Sequence, residues 1–323
     1  MKRVVVVALL LLLAQFLLPV LLLRGQTPVG QETPATLRPA AGKGADRDRT
    51  VTLLLASGET QRMSLADYLW GVVAAEMPAS FEQEALKAQA VAARTYWVTV
   101  SGDKHAPADI CSDSGCCQAY ISRQEAADNW GTAAGRYGER IANAVAGTDG
   151  MILVYQDKPI QAAYFSSAPG RTADAAAVWG NAVPYLVSVP SPEGEEVPNW
   201  RNQVTMTTAQ FRALVAAQYP EADLTGPVAY WLRDFVWEPS GLVRQVNLGG
   251  VTLTGGQIRK LLGLRSACFS VSAEGDELTF QTTGYGHGVG MSQYGANALA
   301  RQGKGFREIL GWYYTGVQVE PLA

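Results

Sequence analysis

The sequence predicts an α+β fold, with mixed helices and antiparallel strands forming lobes around a cleft, behind an N-terminal transmembrane helix. Three observations predict it. Helical and strand patterns come in clusters, without the regular βαβ alternation of a doubly wound sheet. Hydrophobic residues make up 48% and charged residues 17% of 323 positions, enough apolar mass for a sizeable core. A single long apolar run stands near the start, before a stretch with no periodicity at all.

Lys2 and Arg3 precede that run, which covers residues 4–23 and is broken only by Gln15 and Pro19. At about 1.5 Å per residue, some 20 residues cross the hydrocarbon core of a bilayer. The run is longer than the apolar core of a cleaved signal, and no small-x-small site closes it. Residues 1–24 therefore read as an uncleaved anchor with its basic end in the cytoplasm. A cleaved signal peptide is the alternative, and either one places the remaining chain outside the cytoplasm. Residues 25–49, rich in Pro, Gly, Ala and Thr, read as a flexible linker, and residues 50–323 as one folded domain.

Within the domain a strand is expected over 51–56 and a helix over 65–76. After Pro78 and Ser80 a second helix covers 83–98, followed by a Gly/Cys/Asp-rich loop over 101–115. A helix over 137–146 leads to strands at 151–155 and 160–165 flanking Gln156-Asp157-Lys158-Pro159, a hairpin signal. A helix at 208–218 precedes strands near 229–237, 243–248, 268–271 and 278–282. Gly-rich turns and a helix over 292–301 close the chain, and there is no internal repeat.

The net charge of −3, from 26 Lys+Arg against 29 Asp+Glu, offers no basic face, so nucleic acid is excluded as a partner. Four cysteines are too few to staple a domain of this size. Three fall within seven positions, which marks a local site.

Leu65, Leu69, Val72, Val73 and Glu76 recur at spacings of three and four and share one helical face, which places Glu76 on the apolar stripe. Asp67 lies half a turn away, toward water. Pro78 disfavours helix at Met77, so Glu76 also sits in the last turn. Partial burial and the negative end of the helix dipole both disfavour its anion, and a carboxyl kept protonated near neutrality is what a general acid needs. Taken from the helix pattern alone, an ordinary ion pair is the stronger reading of Glu76. On the next helix, Lys87 and Arg94 are seven apart on one face, candidates either for a salt bridge or for gripping a ligand.

His105, Cys111, Cys116 and Cys117 place one imidazole and three thiols in a 13-residue loop. Their number suits one closed, structural zinc that leaves no open position for chemistry. A disulfide such as Cys111–Cys117 is the alternative. Cys268, beside a strand pattern, reads as a buried apolar thiol. His287 lies where four glycines within seven residues let backbone approach a ligand, and it is balanced between a structural role and one in the cleft. No nucleophile-elbow pattern supports a Ser/His hydrolase built from His287 with Ser166 or Ser292. Trp312, Tyr313 and Tyr314 read as core.

Three blocks carry a resemblance. The first runs from Asp67-Tyr68 through Gly71 to Pro78 and then from Glu84 to Tyr96. The second joins Tyr164-Phe165-Ser166-Ser167-Ala168-Pro169-Gly170-Arg171-Thr172 to Val178-Trp179-Gly180 and Val183-Pro184-Tyr185-Leu186. The third is Gly284-Tyr285-Gly286-His287-Gly288-Val289-Gly290-Met291-Ser292-Gln293-Tyr294-Gly295-Ala296. In this order they closely resemble the stage II sporulation protein D family, which shares its domain with amidase enhancers. The resemblance implies a membrane-anchored lytic transglycosylase. It would cleave peptidoglycan glycan strands in the space between mother cell and forespore during engulfment, beside other engulfment membrane proteins and a sporulation amidase that first removes stem peptides. It implies that Glu76 is catalytic, which reverses the odds from the helix pattern. Tyr164, Ser166, Arg171, Ser292, Gln293 and Tyr294 become substrate-contact candidates by motif membership, beside Lys87, Arg94 and His287. Some relatives carry His and Cys at matching loop positions. Phe165 departs from the His that family members often show there and reads as a cleft wall. No cofactor is required for such chemistry. The alternative implied by the enhancer branch is a non-catalytic activator or recruiter of an amidase.

Overall fold

The computed structural model describes residues 44–100, 102 and 104–322. The expected anchor and most of the expected linker lie outside the described residues. Among those described, no helix is long and apolar enough to cross a membrane. Helices and sheets are mixed, as expected for α+β.

Thr50–Leu54 (β1) pairs antiparallel with Thr60–Ser64 (β2) and parallel with Ile110–Cys111 (β3). Val51 and Leu53 point inward and are fully buried, the period-2 pattern of a half-covered strand. Ser64 caps Leu65–Glu76 (α1) by accepting the Asp67 amide hydrogen. This helix is buried almost all round from Leu65 to Ala74, so Tyr68, Trp70 and Gly71 are as enclosed as the predicted stripe. Asp67 is half-buried and pairs with Arg123 at 2.8 Å. Gln83–Val100 (α2) is rich in alanine, and small side chains let α1 approach it closely.

The loop after β3 leads to Arg123–Trp130 (α3), whose capping box of Ser122 and Glu125 the sequence reading did not use. Ala134–Ala146 (α4) packs on α1 and α2. Met151–Tyr155 (β4) turns through Gln156 and Asp157, both with positive φ, into Lys158–Pro159 (β5). The hairpin loop is therefore two residues, not four. Tyr164–Phe165 (β6) leaves that hairpin and pairs in parallel with Met291–Ser292. A short helix, Ala175–Trp179 (α5), follows.

A second core is inserted between the two halves of the first. Arg201–Thr207 (β7), Thr208–Gln218 (α6), Leu232–Trp237 (β8), Val243–Leu248 (β9), Val251–Leu253 (β10), Gly255–Leu262 (α7), Phe269–Glu274 (β11) and Glu277–Thr283 (β12) form it. They make two antiparallel three-stranded sheets, β10-β9-β8 and β11-β12-β7, around Phe211, Trp231 and Phe280. The chain then returns to the first core through Met291–Ser292 (β13), Gln293–Arg301 (α8) and Phe306–Tyr313 (α9). Finally, Gln318–Pro321 (β14) covers the free edge of β4. Tyr313 and Tyr314 are core, as expected, whereas Trp312 is exposed.

One expected boundary is corrected. Asp46 is wholly buried, and its carboxylate accepts from Arg94 Nε at 2.8 Å and Nη2 at 2.6 Å. The fold therefore reaches back into the segment that reads as linker to residue 49. Arg94, expected on a ligand-gripping face, is also fully buried and donates to the Met151 carbonyl at 2.8 Å. Its fork is saturated within the core, so it cannot meet a ligand.

Candidate functional site

Helix α1 ends at Glu76 because Met77, ahead of Pro78, is extended (φ −120°, ψ 140°). Glu76 is half-buried at one side of a cleft of about 580 Å³. Its Oε1 accepts the Ala119 amide hydrogen at 2.9 Å, and its Oε2 accepts from Gln293 Nε2 at 3.2 Å. No cation among the described residues contacts it. Burial raises its pKa above the ordinary carboxyl value, and hydrogen bonds with Ala119, Gln293 and Tyr164 offset that rise only in part.

Gly71 brings the Ala119 amide into place. A Cβ at Gly71 would lie 2.3 Å from the Tyr120 ring and 2.7 Å from the Ile121 carbonyl. Only glycine lets this loop lie across α1, where Ile121 N–H donates to the Gly71 carbonyl at 3.3 Å. On the same loop, Gln118 is buried and bridges two phenols. It donates to Tyr68 Oη at 3.0 Å and accepts from Tyr164 Oη at 2.7 Å. Burial and the neighbouring Glu76 carboxylate push the Tyr164 pKa well up, so the phenol stays protonated.

The opposite wall is built where β6 meets the Gly-rich run. Gly290, with φ near +80°, passes so close to β6 that a Cβ would stand 2.0 Å from the Ala163 carbonyl. His287 fills the junction. Its Nε2 donates to the Tyr164 carbonyl at 3.0 Å, and its Nδ1 accepts the Val289 amide hydrogen at 3.1 Å. Burial lowers its pKa to about 4, so the ring is neutral at pH 7. Both ring nitrogens are engaged by backbone, so His287 cannot serve as base to Ser166. Phe165 is buried against the ring at 5.6 Å and forms wall, as expected.

The structure thus brings Glu76, Tyr164, Ser166, His287 and Gln293 to one cleft. Other expected contacts lie elsewhere. Lys87 pairs with Glu84 at 2.6 Å, and Arg171 donates to the Ser188 carbonyl at 3.3 Å. Ser292 is fully buried, caps α8 and donates to Glu193, while Tyr294 packs edge-on to Phe81 at 4.9 Å. None of these four lines the cleft, and neither does Arg94. The cleft's cation is Arg259 of α7, which the sequence reading missed, as it missed Gln118 and Tyr96. Gln118 adjoins the cysteine pair, a signal that was there to use.

The four loop ligands also converge. His105 Nε2 lies 3.5 Å from Cys116 Sγ and 3.3 Å from Cys117 Sγ, and the two sulfurs are 4.0 Å apart. With Cys111, all four ligand atoms fall within 4.8 Å of one another, so the cluster could hold a metal ion. All four cysteines of the chain are free thiols, which removes the disulfide alternative. Cys117 itself lines the cleft, one residue before Gln118. Cys268 is half-buried, and burial pushes its thiol up to about 11.

A model of the family described as Stage II sporulation protein matches residues 56–155. The chain is 37% identical over 304 residues to Stage II sporulation protein D of Bacillus subtilis, covering 91% of this chain and 87% of that protein. It is 37% identical over 300 residues to the Bacillus amyloliquefaciens protein of the same name, covering 90% and 85%. It is 27% identical over 305 residues to the amidase enhancer of Bacillus subtilis, covering 77% of this chain and 39% of that protein.

Proposed function

Because the chain belongs to the stage II sporulation protein D family, we propose that it is a lytic transglycosylase cleaving peptide-stripped peptidoglycan strands between MurNAc and GlcNAc. The observation that carries this is Glu76: a cleft carboxyl whose burial raises its pKa and whose partners are uncharged donors.

Most glycosidases use two carboxyls. Here one suffices, because the attacking group is the substrate's own C6 hydroxyl and intramolecular attack gains effective concentration. Protonated Glu76 gives its proton to the glycosidic oxygen, and the bond to the anomeric carbon breaks. The resulting carboxylate takes the proton from the C6 hydroxyl as that oxygen closes the 1,6-anhydro ring. Gln293 and the Ala119 amide hold the carboxyl in position in both states. The Tyr164 oxygen, beside Glu76, is a dipole for the developing positive charge.

His105, Cys111, Cys116 and Cys117 fit one structural zinc. Tetrahedral sites with Zn–S near 2.3 Å and Zn–N near 2.0 Å have ligand separations of about 3.5–3.8 Å. The pairs among His105, Cys116 and Cys117 are 3.3–4.0 Å apart, and with Cys111 all four atoms fall within 4.8 Å. The ion would fix the loop that carries Gln118 and Ala119. In this reading residues 1–24 anchor the domain to the mother-cell membrane, facing the forespore, where a sporulation amidase and other engulfment proteins act on the same wall. Similarity to an amidase enhancer favours a second role, stimulation of that amidase.

The test is digestion of denuded strands with mass spectrometry of the released ends. Glu76→Gln lowers the yield of anhydro-ended products by about 10²–10⁴-fold. Undiminished yield overturns the assignment, and loss of yield with intact amidase stimulation separates the two roles.

A further inference from the structure

The inserted lobe has an open depression of about 680 Å³ at one end of the β11-β12-β7 sheet, lined by Ser270, Gln281 and Gln203 of its solvent face and by Asn202, Phe269 and Thr282 of the other face. The strand register puts Ser270, Gln281 and Gln203 in one row across the solvent face, all exposed. The next row on the same face holds Thr279 and Thr205, their hydroxyls 3.1 Å apart. No charge interrupts either row, and Arg201 at the margin is tied to Glu195 at 2.8 Å. Trp237, from β8, stands at the edge of the depression 56% exposed, backed by the Phe235 ring at 5.2 Å. Trp200 closes another side.

Trp237, backed by Phe235, and Trp200 together give the depression an aromatic rim that a flat ligand can cover. A flat aromatic plane beside uncharged amides and hydroxyls suits pyranose rings, whose axial C–H faces stack and whose hydroxyl and acetamido groups pair with Gln and Thr. Thr283 lines this depression and Tyr285 lines the Glu76 cleft. They are two residues apart in the chain, on either side of Gly284.

We propose that the β11-β12-β7 face with Trp237 is a second saccharide subsite, which binds the amino-sugar strand beyond the portion seated at Glu76. The inference rests on the glycan reading above but not on the chemistry of Glu76. Its test uses the full chain with Glu76→Gln, which blocks turnover, and calorimetric titration with peptide-free glycan oligomers of increasing length. Long oligomers bind more tightly than short ones, and Trp237→Ala weakens only the long ones, about tenfold, the size of one lost aromatic contact. The pair Gln203→Ala and Gln281→Ala, at exposed positions that leave the core intact, acts in the same direction.

Length-dependent binding unchanged in both variants overturns the subsite, even if the parent protein makes anhydro ends. Binding that depends on Trp237, in a protein that makes no anhydro ends, upholds the subsite and sinks only the chemistry.

Discussion

Arg94 and Glu76 sit on adjacent helices of one apolar core, and the surroundings give them opposite characters. Arg94 is fully buried with Asp46 as counter-charge and the Met151 carbonyl as a further acceptor. Glu76 receives only neutral donors, one from a loop amide and one from Gln293, and keeps one side on the cleft. A desolvated charge matched by its opposite is a clamp, whereas one left without a counter-ion resists ionising. Both residues lie in the same core, but Arg94 keeps its proton whatever its partner, whereas the lack of a counter-ion at Glu76 disfavours its anion.

The largest effect should come from breaking the clamp. Arg94→Met leaves Asp46 buried without its cation and costs about 3–5 kcal/mol, read by chemical denaturation. Adding Asp46→Leu to it recovers most of the loss, since a hydrophobic replacement of both partners is often neutral. A stable Arg94→Met protein with weakened glycan binding would instead restore Arg94 to the ligand.

The clamp was not legible in the sequence, because Asp46 lies 48 positions before Arg94 in a Gly/Ala/Asp-rich stretch with no periodicity. The place of Glu76 at the end of an apolar stripe was legible because those signals are local, the spacing of Leu65, Leu69, Val72 and Val73 and then Pro78. That pattern alone favoured an ion pair, and the resemblance was what singled it out as an acid. The same divide runs through the fold. Helices α1 and α2 matched their patterns closely, since hydrophobic spacing and proline are short-range. The pairing of β6 with β13 joins residues more than 120 positions apart, and a hairpin pattern around Pro159 misassigned it. Arg259 escaped notice because it reaches the cleft from the inserted lobe. The cysteine cluster was visible, but the adjacency of Gln118 and Ala119 to Glu76 depends on Gly71 admitting the loop.

That loop gives the comparison a second test. If a metal supports the Glu76 side as the ion pair supports Arg94, a zinc chelator lowers the melting temperature and added zinc restores it. At free zinc a hundredfold above its Kd the stabilisation is about 2.7 kcal/mol. An unchanged melting temperature with loss of anhydro ends would place the metal in the chemistry instead.

The smallest effect concerns Glu76 itself and fixes the sign of the comparison. Its folded pKa lies above the unfolded value, so the carboxyl is protonated in both states at low pH and costs the fold nothing there. As pH rises from about 4.3 the unfolded chain ionises first, and stability falls until the folded pKa is passed. Glu76→Gln removes that fall. The variant should match the parent near pH 4 and exceed it at pH 8. Paired denaturation curves at the two pH values decide it. A variant less stable at pH 8 than the parent would mean that the native anion is stabilised there, which makes Glu76 a second clamp like Arg94 and leaves the cleft without an acid.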